Sequence, residues 1–151
     1  MSSNESSERH LYFAYGSNLN LAQMLRRCPT ARPICAYRLI DWRLEFRGYA
    51  DIAPCPDAYV DGALYEIGPS DLTELDQYEG YDAQAPDKGL YRKERLMVEV
   101  DGQPETALIY LMNRSDLEEP DANYLEEIVQ GFRDWELATQ SLYEARARAT
   151  R

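Results

Sequence analysis

The sequence predicts a single α+β domain with a curled, mixed β-sheet. Segments with strand-like and helical apolar periodicity follow one another along the 151 residues in the order strand, helix, strands, helix, strands, helix. The last two strand segments flank Asp101-Gly102, a dipeptide typical of tight hairpin turns, so these two strands are expected to be antiparallel. An antiparallel pair fits poorly into a regular doubly wound βαβ sheet, and the α+β class is therefore favoured.

A strand and a helix are predicted at the start of the domain. Residues 12–15 form an apolar run that is typical of a buried strand. Residues 18–27 have the pattern of a helix, with Asn18 or Asn20 in position to cap its N-terminus. The strand therefore leads into the helix through a sharp corner.

The middle of the chain contains two further strands and a second helix. Residues 40–46 alternate apolar with charged side chains, which is typical of a half-buried strand. Residues 51–57 contain two prolines and are predicted to form a loop, and residues 60–67 return as a strand. A helix is predicted over residues 69–78, with Gly80 at its C-terminal stop.

The second half of the chain is predicted to contain a hairpin followed by helices. Residues 81–89 carry a proline and several charges and are expected to form a surface loop. Residues 93–100 and 105–112 are expected to pair as the hairpin. An amphipathic helix is predicted over residues 121–135, and residues 137–148 are predicted to continue as helix.

The chain is predicted to have one domain, over residues 10–143, and two tails. Residues 1–9 are polar and have no apolar segment of a secretion signal, so we expect a disordered N-terminal tail. Residues 144–151 are expected to form a basic C-terminal tail, frayed over residues 146–151. No repeat, low-complexity tract or linker divides the sequence.

Charge and cysteine content argue against several classes of protein. The formal net charge of −11 opposes binding to nucleic acid or to an anionic membrane surface. No apolar run approaches the ~18 residues that a membrane-spanning helix requires. The cysteines are odd in number and widely spaced, at Cys28, Cys35 and Cys55. This pattern favours a reducing, cytoplasmic location and argues against a disulfide scaffold or a structural zinc site.

Glu79 is a candidate acid/base because of its place on the second predicted helix. At ~100° per residue, Leu72, Leu75 and Glu79 fall on one side of the helix. A carboxylate that is both inward-facing and close to a helix C-terminus is expected to have a raised pKa. The alternative is that Glu79 fans out into solvent past Gly80. The remaining acids of this helix are expected to cap it or to face solvent: Asp71, Glu74 and Asp76.

The corner Tyr15-Gly16-Ser17-Asn18 is a candidate site for an anion or an oxyanion. Consecutive backbone N–H groups between the end of a strand and the start of a helix can converge on one negatively charged group. The alternative is an ordinary turn with no ligand. The nucleotide-binding glycine motifs are absent, and a serine hydrolase would need a histidine, of which His10 is the only one.

Several segments, taken together and in this order, resemble the γ-glutamylcyclotransferase-like proteins. The resemblance covers about residues 11–135. The segments that carry it are the strand into Tyr15-Gly16-Ser17-Asn18, Arg38-Leu39 with Trp42-Arg43-Leu44-Glu45-Phe46, Leu75-Asp76-Gln77-Tyr78-Glu79-Gly80 followed by Tyr91, Tyr110-Leu111-Met112, and the helix with Tyr124. The Gly-Ser-Asn form is closer to the γ-glutamylcyclotransferase branch than to the glutathione-specific branch, which usually has Leu in place of Asn18.

The resemblance implies a fold, a reaction and a set of site residues. It implies a compact, mixed or antiparallel β-barrel-like sheet flanked by helices, no cofactor and no metal, and a monomer or a homodimer. The implied activity, within glutathione metabolism, converts a small-molecule γ-glutamyl amide to 5-oxoproline and a free amine. Glu79 matches the catalytic acid/base. The implied substrate-binding residues are Tyr12, Phe13, Ala14, Tyr15, Gly16, Ser17, Asn18, Tyr91, Tyr110 and Tyr124.

Two departures from the family pattern leave the leaving amine open. The loop over residues 81–89 is longer than in several relatives, and Asp134-Trp135-Glu136 replaces a Gly-Leu-Pro after the Tyr124 helix. One alternative is a cyclotransferase that removes a γ-glutamyl group from a larger amine or a biosynthetic intermediate. A second is a non-catalytic module that binds a small ligand or regulates a partner, and a third is an interaction domain with an incidental cavity.

Overall fold

A five-stranded mixed sheet organises the described part of the chain, residues 8–150 of a computed structural model. The strands are β1 (His10–Ala14), β2 (Arg32–Arg47), β3 (Tyr49–Ile67), β4 (Tyr91–Val100) and β5 (Gln103–Met112). The helices are α1 (Leu21–Arg27), α2 (Pro69–Tyr78), α3 (Ala122–Asp134) and α4 (Gln140–Ala149), and Ser17–Leu19 form one turn of 3₁₀ helix. The predicted α+β class with a mixed sheet is confirmed.

The short strand β1 lies at the centre of the sheet, whose order is β2-β3-β1-β5-β4. β1 is antiparallel to β3 and parallel to β5, while the β2–β3 and β4–β5 pairs are antiparallel. The hairpin expected around Asp101-Gly102 is confirmed, since Val100 pairs with Gln103 across it. Because β1 ends at Ala14 while its neighbours continue, the corner that follows it opens beside the sheet.

The loop predicted over residues 51–57 is wrong, because these residues belong to the 19-residue strand β3. Prolines are tolerated there because β1 pairs only with residues 63–67 of β3, so one edge of β3 is free where Pro54 and Pro56 lie. The alternation predicted over residues 40–46 holds for Leu44 and Phe46, which are buried. Ile40 is exposed because a β-bulge lies between it and Trp42.

The helix predictions are confirmed in position and corrected at their ends. The predicted helix over residues 18–27 begins only at Leu21, where the Asn20 side chain accepts a hydrogen bond from the Gln23 N–H at 3.1 Å. The helix predicted over residues 69–78 matches α2. The amphipathic helix after Asp121 matches α3, which packs against the 3₁₀ turn.

The helix predicted over residues 137–148 is confirmed by α4, and the predicted C-terminal tail is corrected at residues 144–149, which lie in this helix. Leu142 and Ala145 are buried, and the Arg148 guanidinium donates to the Leu44 carbonyl at 2.6 Å, so this helix is held against β2. Of the predicted N-terminal tail, residues 1–7 lie outside the described residues. Arg9 pairs with Glu66 at 2.8 Å.

Among residues 8–150, no helix combines the length and the apolar composition needed to cross a membrane.

Candidate active site

One cavity collects most of the residues that the sequence singles out. It lies between the corner after β1, the C-terminus of α2, strands β4 and β5, and the start of α3. Its lining residues are Tyr12, Tyr15, Gly16, Ser17, Asn18, Ala50, Glu79, Tyr91, Tyr110 and Tyr124. Phe13 and Ala14, expected at the site, do not line it: Phe13 is fully buried and its ring packs edge-on against Tyr37. Alternation along β1 turns Tyr12 toward the cavity and Phe13 away from it.

The corner after β1 presents free backbone donors to this cavity. The first 3₁₀ hydrogen bonds run from Leu19 N–H to the Gly16 carbonyl and from Asn20 N–H to the Ser17 carbonyl, both at 3.0 Å. The N–H groups of Gly16 and Ser17 therefore lie ahead of the turn, and neither makes a hydrogen bond to any described residue. Unpaired N–H groups at such a corner can bind a carboxylate or an oxyanion.

Buried polar contacts fix the position of the corner. Asn18 donates from its side-chain amide to the Tyr12 hydroxyl at 2.9 Å and accepts a hydrogen bond from the Arg27 guanidinium. The Tyr65 hydroxyl donates to the Asn18 carbonyl at 2.8 Å. These three hydrogen bonds hold Asn18 in place and so fix the position of the free N–H groups beside it.

Two glycines permit close packing at the corner. At Gly131 in α3, an added Cβ would lie 2.6 Å from both the Asn20 nitrogen and the Leu19 Cβ, so only glycine lets α3 approach the 3₁₀ turn. At Gly16, an added Cβ would lie 3.1 Å from the Ala50 Cβ and 3.6 Å from the Tyr124 hydroxyl. A side chain at position 16 would therefore crowd the cavity.

Glu79 lies at the same cavity, as its spacing from Leu75 predicts. It follows the last residue of α2, where its N–H donates to the Leu75 carbonyl at 2.8 Å, and the residue is half-buried. Burial raises the pKa of the Glu79 carboxyl from its usual 4.5 to about 8, against a smaller lowering by the positive charge of Arg27. Its carboxylate makes no side-chain hydrogen bond to any described residue. Such a group can both accept and donate a proton near neutral pH.

The tyrosines around Glu79 differ in what they can offer a ligand. The Tyr91 hydroxyl donates to the Ala50 carbonyl at 2.5 Å, and the Tyr110 hydroxyl donates to the Asp76 carboxylate at 2.5 Å. The hydrogens of these two hydroxyls are therefore already donated to acceptors within the protein. The Tyr124 hydroxyl accepts from the Ala50 N–H at 3.0 Å, and that of Tyr12 accepts from Asn18, so both can still donate.

None of these phenols competes with Glu79 as a base. Burial raises the pKa of Tyr12, Tyr91, Tyr110 and Tyr124 above the usual value, and the nearby negative charge of Glu79 raises it further in each. The hydroxyls therefore stay protonated at neutral pH. Glu79 is the one carboxylate among the described residues that line the cavity.

Tyr78 and Asp76 take part in the site, although the sequence did not predict either as a site residue. Tyr78 shares a hydrogen bond of 2.9 Å with the Ser17 hydroxyl, and the Arg27 guanidinium lies over its ring, 3.5 Å from the centroid. Asp76, expected at the surface or as a cap, instead accepts from Tyr110 and pairs with Lys93 at 2.9 Å. The position of Tyr78 directly before Glu79 was the one available hint.

The cavity has an inner and an outer compartment that share Glu79. The inner compartment is narrow, about 20 Å³, and is bordered by the free N–H groups and the tyrosine hydroxyls. The outer compartment is larger, about 150 Å³. Its lining residues are Ser17, Tyr49, Tyr78, Glu79, Leu90, Tyr91 and Tyr124.

Metal ligands are not assembled at the site. In the described range, no three histidine, cysteine, aspartate or glutamate side chains come close enough to bind a metal ion together. The chemistry that the cavity offers on its own residues is proton transfer at one carboxyl group beside hydrogen-bond donors for a negatively charged oxygen.

Comparison with known proteins gives consistent matches over most of the chain. Residues 12–136 match the family model described as gamma-glutamyl cyclotransferase, AIG2-like. The human protein named gamma-glutamylcyclotransferase is 31% identical over 144 residues, which covers 84% of this chain and 72% of the relative.

Solved structures with similar folds include one described as gamma-glutamyl cyclotransferase, with a TM-score of 0.73 and 28% identity, covering 95% of this chain and 87% of that one. A crystal structure of the human protein loc79017, described as uncharacterized, has a TM-score of 0.76 and 29% identity over 93% of this chain and 88% of its own.

Proposed function

The chain belongs to the gamma-glutamyl cyclotransferase, AIG2-like family, and we propose that it converts a γ-glutamyl amide to 5-oxoproline and a free amine. One observation carries the proposal: the Glu79 carboxyl, with its raised pKa, lines the same cavity as the free N–H groups of Gly16 and Ser17. In this proposal the corner after β1 is the substrate loop, Glu79 is the acid/base, and the tyrosines that line the cavity are pocket residues.

In this mechanism the α-amine of the substrate attacks the γ-carbonyl carbon of the same molecule. Glu79 accepts one proton from that nitrogen as the C–N bond of the lactam forms. The N–H groups of Gly16 and Ser17 bind the substrate's α-carboxylate and stabilise the carbonyl oxygen as it becomes tetrahedral. Glu79 then donates the proton to the leaving nitrogen as the amide C–N bond breaks, so that atoms and charge balance without water.

The known magnitudes of these effects are sufficient without a covalent intermediate. Well-oriented intramolecular attack can supply ~7–11 kcal/mol of the barrier. Proton transfer adds ~10²–10⁴-fold, and one oxyanion donor ~10²–10³-fold. Protonation of the leaving nitrogen is the harder step, because the amide C–N bond breaks only as that nitrogen gains a proton. A carboxyl group with a pKa of about 8 suits that step.

A γ-glutamyl group is larger than the inner compartment, which holds about 20 Å³. We expect the exposed rings at the outer compartment, those of Tyr49 and Tyr78, to move when substrate binds.

The small-molecule substrate, the absence of a cofactor and the cytoplasmic location are parts of this proposal.

The proposal is tested by incubating the protein with γ-glutamyl amides and measuring 5-oxoproline and the free amine together. We expect the two products in equal amounts. Glutamate in place of 5-oxoproline would show attack by water and contradict the intramolecular step. Saturable binding of the amides with neither product would instead favour the non-catalytic binding module.

A further inference from the structure

We propose that the outer compartment is a subsite for the leaving amine and that it selects amines with an aromatic or apolar group and no carboxylate. This inference rests on the proposed function and adds the chemical class of the substrate. It follows from three properties of the outer compartment: its position, its walls and its charge.

The position of the outer compartment matches where the leaving group must lie. Ser17, Glu79, Tyr91 and Tyr124 line both compartments, so the scissile bond, which needs Glu79, lies at their junction. The free N–H groups that bind the substrate's α-carboxylate border the inner side. The part of the substrate beyond the scissile nitrogen then extends into the outer compartment.

Four tyrosines make up most of the walls of the outer compartment, beside Leu90, Ser17 and Glu79. Tyr49 and Tyr78 are exposed large side chains, with 43% and 40% of their surface accessible, and both face this compartment beside half-buried Leu90. The Tyr49 ring contacts Tyr124 edge to face, with 5.2 Å between centroids. A volume of about 150 Å³ is that of a cavity able to accept a benzene ring.

Among the described residues, none that lines the outer compartment offers a cation to an acidic leaving group. No lysine or arginine in the described part of the chain lines it, and Glu79 contributes the one acidic group. The Arg27 guanidinium covers one face of the Tyr78 ring and is hydrogen-bonded to Asn18, so it is already engaged. A carboxylate on the leaving amine would lie near Glu79 with no cation to pair with.

Three substrates separate the ring from the carboxylate. γ-Glutamyl-phenethylamide and γ-glutamyl-phenylalanine differ only in the carboxylate, and γ-glutamyl-ethylamide lacks only the ring. Since one methylene in an apolar pocket discriminates ~10–200-fold, we expect kcat/KM for the phenethylamide to exceed each of the others by at least ~10-fold. Equal or faster turnover of γ-glutamyl-phenylalanine would overturn the charge argument, and an ethylamide within twofold would overturn the ring argument.

A variant tests whether these residues cause the selectivity. Tyr49→Ala is expected to lower the phenethylamide-to-ethylamide ratio of kcat/KM by ~5-fold or more, because the ring loses one wall. The matched control is Tyr143→Ala, which removes a similarly exposed tyrosine (44% accessible) from α4, outside this compartment. The ratio within one variant does not depend on the folded fraction. An unchanged ratio in Tyr49→Ala refutes the subsite.

Failure of the subsite and failure of the proposed function give different results. Release of 5-oxoproline from all three substrates at similar rates supports the cyclotransferase and refutes the subsite. Release from none of them, and from none of the other γ-glutamyl amides used to test the proposed function, refutes that function and, with it, the inference that depends on it.

Discussion

Replacement of Glu79 by Gln is expected to remove a pH dependence from the stability of the fold. In the folded protein burial raises the pKa of this carboxyl to about 8, compared with 4.5 in an unfolded chain. The folded state therefore keeps a proton that the unfolded state has lost. Stability contributed by this proton is fully present below pH 4.5 and is lost as pH rises toward 8.

The size of the effect follows from one proton and the half-buried position of Glu79. Between the two pKa values the free energy of unfolding of the parent falls by at most ~1.4 kcal/mol per pH unit, or ~2.7 kcal/mol from pH 5 to pH 7. Because the side chain is half-buried, solvent reduces this, and we expect about 1–2 kcal/mol. The Gln variant lacks the titrating proton, so its stability relative to the parent should rise over the same range.

Urea unfolding at pH 5, 6, 7 and 8 measures this difference directly. The matched control is Glu74→Gln, which removes an exposed carboxylate from the same helix. Titrations elsewhere in the protein are common to all three proteins and cancel in the comparison. A parent-to-Glu79→Gln difference that stays constant over this range would refute the raised pKa, and with it the reason for assigning the proton transfer to Glu79.

Three further variants test other parts of the site. Arg27→Met removes the positive charge that lowers the pKa of Glu79, so the limb of the pH profile of kcat/KM that reports Glu79 should move to higher pH. The control Arg26→Met, which changes an exposed residue of the same helix, should leave that limb in place. Gly131→Ala should destabilise the fold by ~1–3 kcal/mol in urea unfolding, because its Cβ would press on the 3₁₀ turn, and a change below experimental error would contradict the packing argument. Gly16→Ala should weaken substrate binding, measured as a higher KM, because the added Cβ crowds the cavity. It should destabilise the fold less than Gly131→Ala does, because that Cβ does not press on the backbone. An unchanged KM would show that the corner does not contact the substrate.

The parts of the fold that depend on local signals were predictable from sequence. The Asp101-Gly102 turn fixed the hairpin, and Pro69 with Gly80 marked the ends of α2. The segment over residues 51–57 was not predictable, since two prolines normally exclude a strand. They are accommodated because β1 is too short to cover that part of β3, a property of the whole sheet rather than of the segment.

At the C-terminus, too, part of the structure follows from the local sequence and part from contacts with distant residues. The helical pattern over residues 137–148 predicts most of α4, although the basic composition of residues 144–151 also favours a tail. In the structure α4 extends to Ala149 because Ala145 is buried and Arg148 reaches the Leu44 carbonyl. The hydrogen bond from Arg148 to Leu44 joins residues 104 positions apart, and the burial of Ala145 depends on the packing of α4 against β2. Neither can be seen in the local sequence pattern.

The candidate site divides in a similar way. The inward position of Glu79 follows from helical spacing to Leu75, and the corner at Gly16 follows from residue types. The contact between Ser17 and Tyr78 joins residues 61 positions apart, and Tyr49 enters the site through the β2–β3 turn. Such residues are found only once the topology has brought the strand ends together.

The role of Glu79 is tested most directly by the rate of 5-oxoproline release by Glu79→Gln, compared with the parent and with Glu74→Gln. We expect the loss of proton transfer to lower kcat by at least ~10²-fold in Glu79→Gln, with substrate binding retained and Glu74→Gln close to the parent. Turnover by Glu79→Gln within a few-fold of the parent would contradict the assignment of Glu79 as the acid/base.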